Sequence, residues 1–264
     1  MTEARAGGLP WDPVVPAASF TALLRSRGLE PRWSLPAEAA ALEAPEGTTV
    51  LAFRYADGVL MAGDRRATAG NEIAHRSLQK VYPADGLSAV AISGTAGIAI
   101  ELVRLFQTEL EHYEKLEGSR LSLEGKANHL AAMVRAQLPM AFQGLVVMPL
   151  FCGFDEATGR GRLYSYDVVG GRYEETDFTA IGSGGPYAKA HLRGSFQEAL
   201  SEDEAVRVAV EALVAAAEED SATGGPDLQR GIYPNVVVIS AQGYREVAED
   251  RVGAAARRAM EETR

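Results

Sequence analysis

The sequence predicts an α+β fold in which two packed sheets carry helices on their outer faces. Strand-like segments come first, followed by a pair of helices, more strands and a second pair of helices. This order disfavours a parallel sheet, in which strands and helices alternate strictly along the chain. A hydrophobic content of 47% with 23% charged residues fits a globular chain with a sizeable core.

The strands are predicted from runs of β-branched and aromatic residues bounded by turn signals. Asp57-Gly58 marks a tight turn between the first two of them. The predicted strands are 48–55, 59–64, 88–93, 145–154, 161–168, 177–182 and 235–240.

The helices are predicted from apolar residues that recur every three or four positions. Ser201 and Glu204 have the spacing of a capping box, which marks the start of the last of these helices. The predicted helices are 97–116, 122–138, 186–198 and 201–219, and a short terminal helix is compatible with the charged segment after residue 250. One face of the first helix is predicted to be apolar through Leu102, Leu105, Phe106, Tyr113 and Leu116.

Composition excludes several classes of protein. The net charge of -10 argues against a nucleic-acid partner, which normally requires a basic face. No run of about 18 apolar residues is present to span a membrane, and early prolines interrupt any secretory signal. The single cysteine, Cys152, permits no internal disulfide, suits a reducing cytoplasm and is interpreted as a small buried hydrophobe. No Cys/His cluster has zinc-ligand spacing, so neither a metal nor a cofactor is predicted.

Residues 1–47 differ in composition from the rest of the chain. They are rich in proline and contain both tryptophans, Trp11 and Trp33. Two interpretations are open: a detachable segment that docks through its aromatic residues, or a disordered tail without a role.

Conventional nucleophile motifs are missing from the sequence. None of the four histidines lies in a serine-elbow motif, and the glycine-rich stretch 181–186 lacks the lysine of a phosphate loop. Pro186 is instead typical of the first turn of a helix.

Thr48 offers a different kind of nucleophile. If the Gly47–Thr48 bond were cut, the new α-amino group, with an ordinary pKa of about 7.7–8.0, would be a base on the same residue as the hydroxyl. Gly47 has no side chain to hinder attack on its carbonyl, although for this residue alone a tight turn is the better explanation.

Lysine is rare in this chain, which makes Lys80 conspicuous. The sequence contains 22 arginines and four lysines, so each lysine raises the question of whether an amine is specifically required. Lys115 lies in a charged helical stretch and is expected on the surface. Lys80 follows Asp64 by sixteen residues. Taken in isolation, the pair is explained as well by a structural salt bridge as by a catalytic role.

A combination of spacings carries a resemblance to a known family. Asp64 follows Thr48 by sixteen residues, Lys80 by thirty-two and Gly94 by forty-six; further matches are Gly182-Ser183-Gly184 and the stretch 220–225. Together they resemble the active site of 20S proteasome β subunits, in the N-terminal-nucleophile hydrolase superfamily. The resemblance covers 48–248, and the stretch 231–234 is most similar to actinobacterial members. It implies a four-layer α-β-β-α sandwich of two antiparallel sheets, with residues 1–47 as a propeptide removed by self-cleavage and 48–264 as the peptidase domain.

The resemblance also implies a role for each matching residue. Thr48 would be the nucleophile, Lys80 would make its hydroxyl more acidic, and Asp64 would hold Lys80 and set its pKa. The Gly94 N–H would face the developing oxyanion. The freed amine of Thr48 would be supported by hydrogen bonds with Ser183, Asp220 and Thr223, the last of which stands where many relatives carry serine.

A specificity pocket follows from the same resemblance. Cleavage after apolar residues is predicted, because the implied lining is mostly aliphatic and uncharged. Thr68 would pair its backbone with an extended substrate. The implied lining residues, each of which is also explained by core packing, are Ala67, Leu78, Tyr82, Ile92, Ala96 and Ile100.

The family architecture implies the partners. Four stacked seven-membered rings, twenty-eight subunits in all, would place α rings outside and β rings inside, and a ring-shaped ATPase would deliver substrates that can carry a small protein tag. Three alternatives remain open: a catalytically silent β-type scaffold, a bacterial ATP-dependent threonine peptidase of two six-membered rings, and a small-molecule amidase of the superfamily. The 47-residue leader counts against the two-ring peptidase, whose subunits begin at or near the threonine.

Overall fold

The computed structural model describes residues 47–69 and 72–262. Two five-stranded antiparallel sheets form its centre. The strands of the first sheet are ordered β10-β1-β2-β11-β12, and those of the second β5-β6-β7-β8-β9. The first sheet consists of β1 (Thr49–Tyr55), β2 (Gly58–Gly63), β10 (Phe178–Gly182), β11 (Asn235–Ser240) and β12 (Gly243–Glu246). The second consists of β5 (Val81–Asp85), β6 (Ser88–Gly94), β7 (Val147–Asp155), β8 (Arg160–Tyr166) and β9 (Arg172–Glu175). A separate ribbon pairs β3 (Ala67–Ala69) with β4 (Glu72–His75).

Helices cover the outer faces of both sheets. Against the second sheet lie α1 (Ala96–Glu117) and α2 (Leu123–Ala136), followed by the single turn α3 (Leu138–Ala141). Against the first sheet lie α4 (Gly185–Ser195), α5 (Glu202–Glu219) and α6 (Glu249–Glu262). No helix of the described ranges is long and apolar enough to cross a membrane.

Three clusters of buried side chains fill the spaces between the layers. The middle cluster takes residues such as Val50 and Met61 from the first sheet and Leu150 and Cys152 from the second. The outer clusters join each sheet to its helices. The predicted α+β class and the four-layer order α-β-β-α are therefore confirmed, and Cys152 is buried as expected.

The predicted strands and helices are all present, with ends shifted by a few residues. Sequence patterns missed β3, β4, β5, β9 and β12. These strands are short, and most have little apolar alternation: β4 is exposed along its whole length, and β9 reads Arg-Tyr-Glu-Glu. Pro83 lies in β5, where it is tolerated because β5 is an edge strand.

Several local expectations are confirmed. Ser201 and Glu204 form a complete capping box at the start of α5, and Pro186 lies in the first turn of α4. Lys115 is on the surface. The terminal helix α6 has 14 residues and buries Val252 and Ala256, so it is an integral part of the outer layer.

The predicted apolar face of α1 is partly wrong. Leu102 and Phe106 are buried, but Leu105, Tyr113 and Leu116 are exposed. The buried stripe instead consists of Ala99, Leu102, Val103, Phe106 and Leu110. Leu105 lies off this stripe. Tyr113 and Leu116 lie in the last two turns of α1, beyond Leu110, which is the last buried residue of this helix.

Candidate active site

The start of β1 is the point where the candidate residues meet. β1 lies between β2 and β10, so Thr49 pairs with Gly182 and Val50 with Gly63. The Asp64 N–H donates to the Thr49 carbonyl at 3.0 Å, and the Ser183 N–H donates to the Thr48 carbonyl at 3.1 Å. Thr48 itself is 6% exposed.

Asp64 is fully buried, and each of its two carboxylate oxygens accepts two hydrogen bonds. One carboxylate oxygen, Oδ1, accepts from the Thr49 N–H at 2.8 Å and from Lys80 Nζ at 2.6 Å. The other, Oδ2, accepts from the backbone N–H groups of Arg66 at 2.9 Å and Gly224 at 2.8 Å. A buried carboxylate is costly unless it is paired and hydrogen-bonded, and these four contacts supply the partners that it requires.

Lys80 uses its three N–H donors on three acceptors. Besides Asp64, Nζ donates to the Gly47 carbonyl at 2.9 Å and, through a short contact, to the Arg66 carbonyl. Burial lowers the pKa of Lys80 below its ordinary value; the Asp64 charge opposes this shift without cancelling it. The amine therefore touches the carbonyl of the peptide bond that precedes Thr48.

Gly47 has a backbone conformation that only glycine adopts readily. Its φ is +136°, and a Cβ at this position would lie 3.0 Å from the Ala222 carbonyl oxygen and closer still to Thr68 Oγ1. Any side chain would displace the carbonyl that Lys80 holds. This explains the glycine physically, whether or not the bond after it is cut.

A second network surrounds Asp220. Oδ2 accepts from Ser183 Oγ and from Thr223 Oγ1, both at 2.6 Å, and Oδ1 accepts from the Ala222 N–H at 3.1 Å. Burial by itself raises the pKa of Asp220, but these hydrogen bonds outweigh it, and the pKa lies below its ordinary value. Asp220 is thus an anion at neutral pH.

Thr49 connects the two networks, and sequence reasoning missed it. Its side-chain Oγ1 lies 2.6 Å from Thr223 Oγ1 and accepts from the Gly184 N–H at 2.9 Å. Its backbone N–H is the one that Asp64 accepts. The only available signal was a second hydroxyl directly after Thr48, on a strand whose neighbours are apolar.

Arg66 is a second residue that the sequence did not single out. Its guanidinium donates to the carbonyls of Ser221 at 3.1 Å and Thr223 at 3.3 Å, while its backbone joins Asp64 and Lys80. It ties the loop that carries Thr223 to the end of β2.

The predicted support of the Thr48 amine stays a prediction. In the described chain Thr48 nitrogen is an amide joined to Gly47. The described side-chain hydrogen bonds of Ser183 and Thr223 go to Asp220 and Thr49.

Gly94 ends β6 with a φ of +105°, and a Cβ there would collide with the Val146 carbonyl. The adjacent Ser93 Oγ lies 3.3 Å from the position of a Cβ on Gly182, so the end of β6 is beside the start of β1. Its role at an oxyanion stays a prediction.

The residues predicted for the specificity pocket come from several elements. Ala67 and Thr68 belong to β3 and are buried. Ile92, in β6, is 4% exposed and belongs to the cluster between the second sheet and its helices. Tyr82 and Ile100 are half-buried and pack against that cluster; Leu78 and Ala96 are also half-buried. Core packing therefore explains Ile92, and a role of the whole set in substrate binding stays a prediction.

Two antiparallel sheets between helical layers, with a threonine leading into the first strand, define the sandwich of the N-terminal-nucleophile hydrolases. Comparison with known proteins narrows this class. A family model described as "Proteasome subunit" matches residues 44–227, a stretch that extends from before Thr48 to beyond Thr223. The chain belongs to the proteasome subunit family.

Similar proteins include several that are named "Proteasome subunit beta". The one from Acidothermus cellulolyticus is 55% identical over 238 residues, which cover 89% of this chain and 82% of that protein. The one from Acidimicrobium ferrooxidans is 57% identical over 210 residues, 80% and 77% of the two chains. The one from Streptomyces griseus is 52% identical over 228 residues, 86% and 81%. The resemblance to actinobacterial β subunits is confirmed.

Proposed function

We propose that this chain is the catalytic β subunit of a bacterial 20S proteasome, a threonine peptidase that cleaves itself between Gly47 and Thr48. The observation that carries the proposal is the position of Lys80, whose amine bonds at once to Asp64 and to the Gly47 carbonyl. Membership of the proteasome family supports it. The mature enzyme hydrolyses peptide bonds, with a preference for apolar residues before the cut.

Self-cleavage begins with attack of Thr48 Oγ on the Gly47 carbonyl carbon. Lys80 Nζ, 2.9 Å from the carbonyl oxygen, stabilises the negative charge that develops there. The C–N bond then breaks, the Thr48 nitrogen takes the hydroxyl proton, and an ester remains. Water hydrolyses the ester, which leaves a carboxylate on Gly47 and a free hydroxyl and amine on Thr48.

Substrate hydrolysis repeats this chemistry on another chain. The freed amine of Thr48 takes the proton from Oγ, directly or through one water, and the charge of Lys80 makes the hydroxyl more acidic. Asp64 holds Lys80 in place. The backbone N–H of Gly94 stabilises the oxyanion. The scissile C–N bond then breaks as the Thr48 ammonium gives its proton to the departing amine, and water hydrolyses the acyl-enzyme ester that remains.

The remaining parts of the function are proposed from the family. Residues 1–47 act as a propeptide that masks the amine until 48–264 has assembled with α subunits and other β copies into stacked rings. A ring-shaped ATPase delivers substrates, some with a small protein tag, in the cytoplasm. Of the segment 1–47, only Gly47 lies within the described residues.

The test is to express the full chain with its α subunit and purify the assembled particle. Intact mass spectrometry should show that residues 1–47 are lost, and tryptophan emission from the β subunit should vanish, because Trp11 and Trp33 precede the cut. A fluorogenic peptide with an apolar residue before the scissile bond should be turned over by the wild type and not by Thr48→Ala. A cleaved or uncleaved particle that assembles but turns over no peptide is the silent scaffold and would contradict the proposal.

A further inference from the structure

The Asp64–Lys80 pair and the Asp220 network are separate in sequence. Arg66 joins them through backbone carbonyls, and Thr49 joins them through its own hydroxyl and N–H. Through its backbone N–H, Thr49 bonds to Asp64 Oδ1 at 2.8 Å. Through its hydroxyl it meets Thr223 Oγ1 at 2.6 Å. Thr49 also follows Thr48 directly, so any shift of Thr49 moves the nucleophile.

The donor and the acceptor can be assigned for each hydrogen bond in the series that runs from Gly184 through Thr49 and Thr223 to Asp220. The Gly184 N–H can only donate, so Thr49 Oγ1 accepts from it. Thr223 has one hydroxyl proton and gives it to Asp220. The proton between the two threonine hydroxyls therefore belongs to Thr49, which donates to Thr223.

Burial leaves these hydroxyls no alternative partner in solvent. Thr49 and Thr223 are both 0% exposed. They pack against Gly184, where a Cβ would lie 2.5 Å from each hydroxyl oxygen. The absence of a side chain on Gly184 thus allows the close approach on which the directed chain depends.

We infer that Thr49 is a positioning residue, whose hydroxyl holds Thr48 in register with both the Asp64–Lys80 pair and the Asp220 network. This inference rests on the proposed function. A misplacement of a reacting group by about 1 Å can cost about 10²-fold in rate. Loss of a hydrogen bond that fixes the residue next to the nucleophile should therefore lower the turnover rate. The Thr49 hydroxyl is fully buried and bonded to Thr223 and Gly184, so its removal should act on kcat rather than on KM.

The test uses assembled particles that carry Thr49→Val, which keeps the shape and the backbone N–H and removes only the hydroxyl. Turnover is measured with the fluorogenic peptide and divided by the number of subunits that mass spectrometry finds cleaved after Gly47. We expect kcat to fall at least about 10-fold with KM within about twofold of the wild type. Thr49→Ser should restore kcat to within about threefold, because it returns the hydroxyl.

Thr179→Val is the matched control. Thr179 is also a fully buried threonine, in β10, and its hydroxyl lies 3.5 Å from Glu175 rather than in either network. Its kcat should stay within about twofold of the wild type, which separates the specific loss from the general effect of removing a buried hydroxyl.

A double-mutant cycle with Thr223→Val tests the hydrogen bond between the Thr49 and Thr223 hydroxyls from the Thr223 side. It does not depend on the assembly of one variant alone. If the two hydroxyls act as one chain, the double variant should be little worse than either single variant. The inference is overturned if the two losses multiply, if Thr49→Ser is as impaired as Thr49→Val, or if Thr49→Val loses only thermal stability. If the wild type is active and Thr49→Val turns over the peptide equally fast, only the inference about Thr49 is overturned. If the wild type is inactive, the proposed function is overturned as well.

Discussion

Two lysine–aspartate pairs are buried within residues 47–69 and 72–262, and only one of them lies at the candidate active site. Lys80 meets Asp64 at 2.6 Å, and Lys126 meets Asp85 at 2.5 Å. Both lysine side chains are almost completely hidden from solvent. In residue type, burial and separation the pairs are nearly the same.

Their other contacts separate them. Lys80 also donates to the Gly47 carbonyl, next to Thr48. Asp85 instead accepts from Ser88 Oγ at 2.6 Å and from the Leu87 N–H at 3.0 Å, so its pair with Lys126 fastens α2 to the turn between β5 and β6. A buried ion pair is therefore no sign of a catalytic site by itself; contact with the reactive backbone is.

The largest expected difference between the pairs concerns activity. Lys80→Arg should reduce both self-cleavage and peptide turnover by at least about 10³-fold, because a guanidinium cannot occupy the compact three-acceptor site of an amine. Intact mass and fluorogenic turnover of the assembled particle measure both. Lys126→Arg is the matched control, and a comparable loss of turnover per assembled subunit in it would break the comparison.

The next effect concerns the carbonyl that Lys80 holds. Gly47→Ala should slow release of residues 1–47 by at least about 10²-fold, because a side chain at φ +136° is strained and collides with Thr68 and Ala222. The rate is measured by mass spectrometry after mixing with α subunits. Gly118→Ala also changes a glycine with positive φ, but its Cβ would meet no atom within 4 Å. Cleavage of Gly47→Ala at the rate of Gly118→Ala would contradict the argument.

The second pair should affect stability rather than chemistry. Lys126→Met leaves Asp85 without its cation in a largely buried place, so the free energy of unfolding should fall by about 3 kcal/mol. Urea denaturation measures this loss, with the exposed pair variant Lys115→Met as a control that should change by less than about 0.5 kcal/mol. Turnover per folded Lys126→Met subunit should equal that of the wild type, and a specific loss of kcat would assign this pair a role in catalysis.

The smallest effect is a dependence on acid. Burial alone raises the pKa of Asp85, but Lys126, Ser88 and the Leu87 N–H bring it below its ordinary value of 3.8. The unfolded chain therefore binds more protons than the folded one just below pH 3.8, and the stability from Asp85 is present above that pH and lost as the pH falls through the lowered value. Thermal denaturation from pH 6 to pH 3 should show a shallower decline for Asp85→Asn than for the wild type. Parallel curves would remove Asp85 from the acid response.

The comparison also shows how far sequence reasoning reaches. The rarity of lysine marked Lys80, but the same argument applies to Lys126, and only a combination of spacings around Thr48 separated them. Thr49 and Arg66 were missed because their side chains bond to partners more than 150 residues away in the sequence. Runs of β-branched and aromatic residues identified the central strands, whereas the short strand β4, exposed throughout, has no such run.

The apolar face of α1 illustrates a further limit. Helical spacing places Tyr113 on the same side as Phe106, but the buried stripe of α1 ends at Leu110. Burial of the last turns depends on what packs against them in the folded molecule, and local sequence does not encode this.

The most direct test of the account concerns the α-amine of Thr48. Particles whose β subunits are expressed from Thr48 onward, with the initiator methionine removed, can be prepared with increasing fractions of that amine acetylated, as counted by mass spectrometry. The account predicts that peptide turnover falls in proportion to the acetylated fraction and reaches zero when every amine is blocked. Undiminished turnover by fully acetylated particles would show that the base is another group and would contradict it.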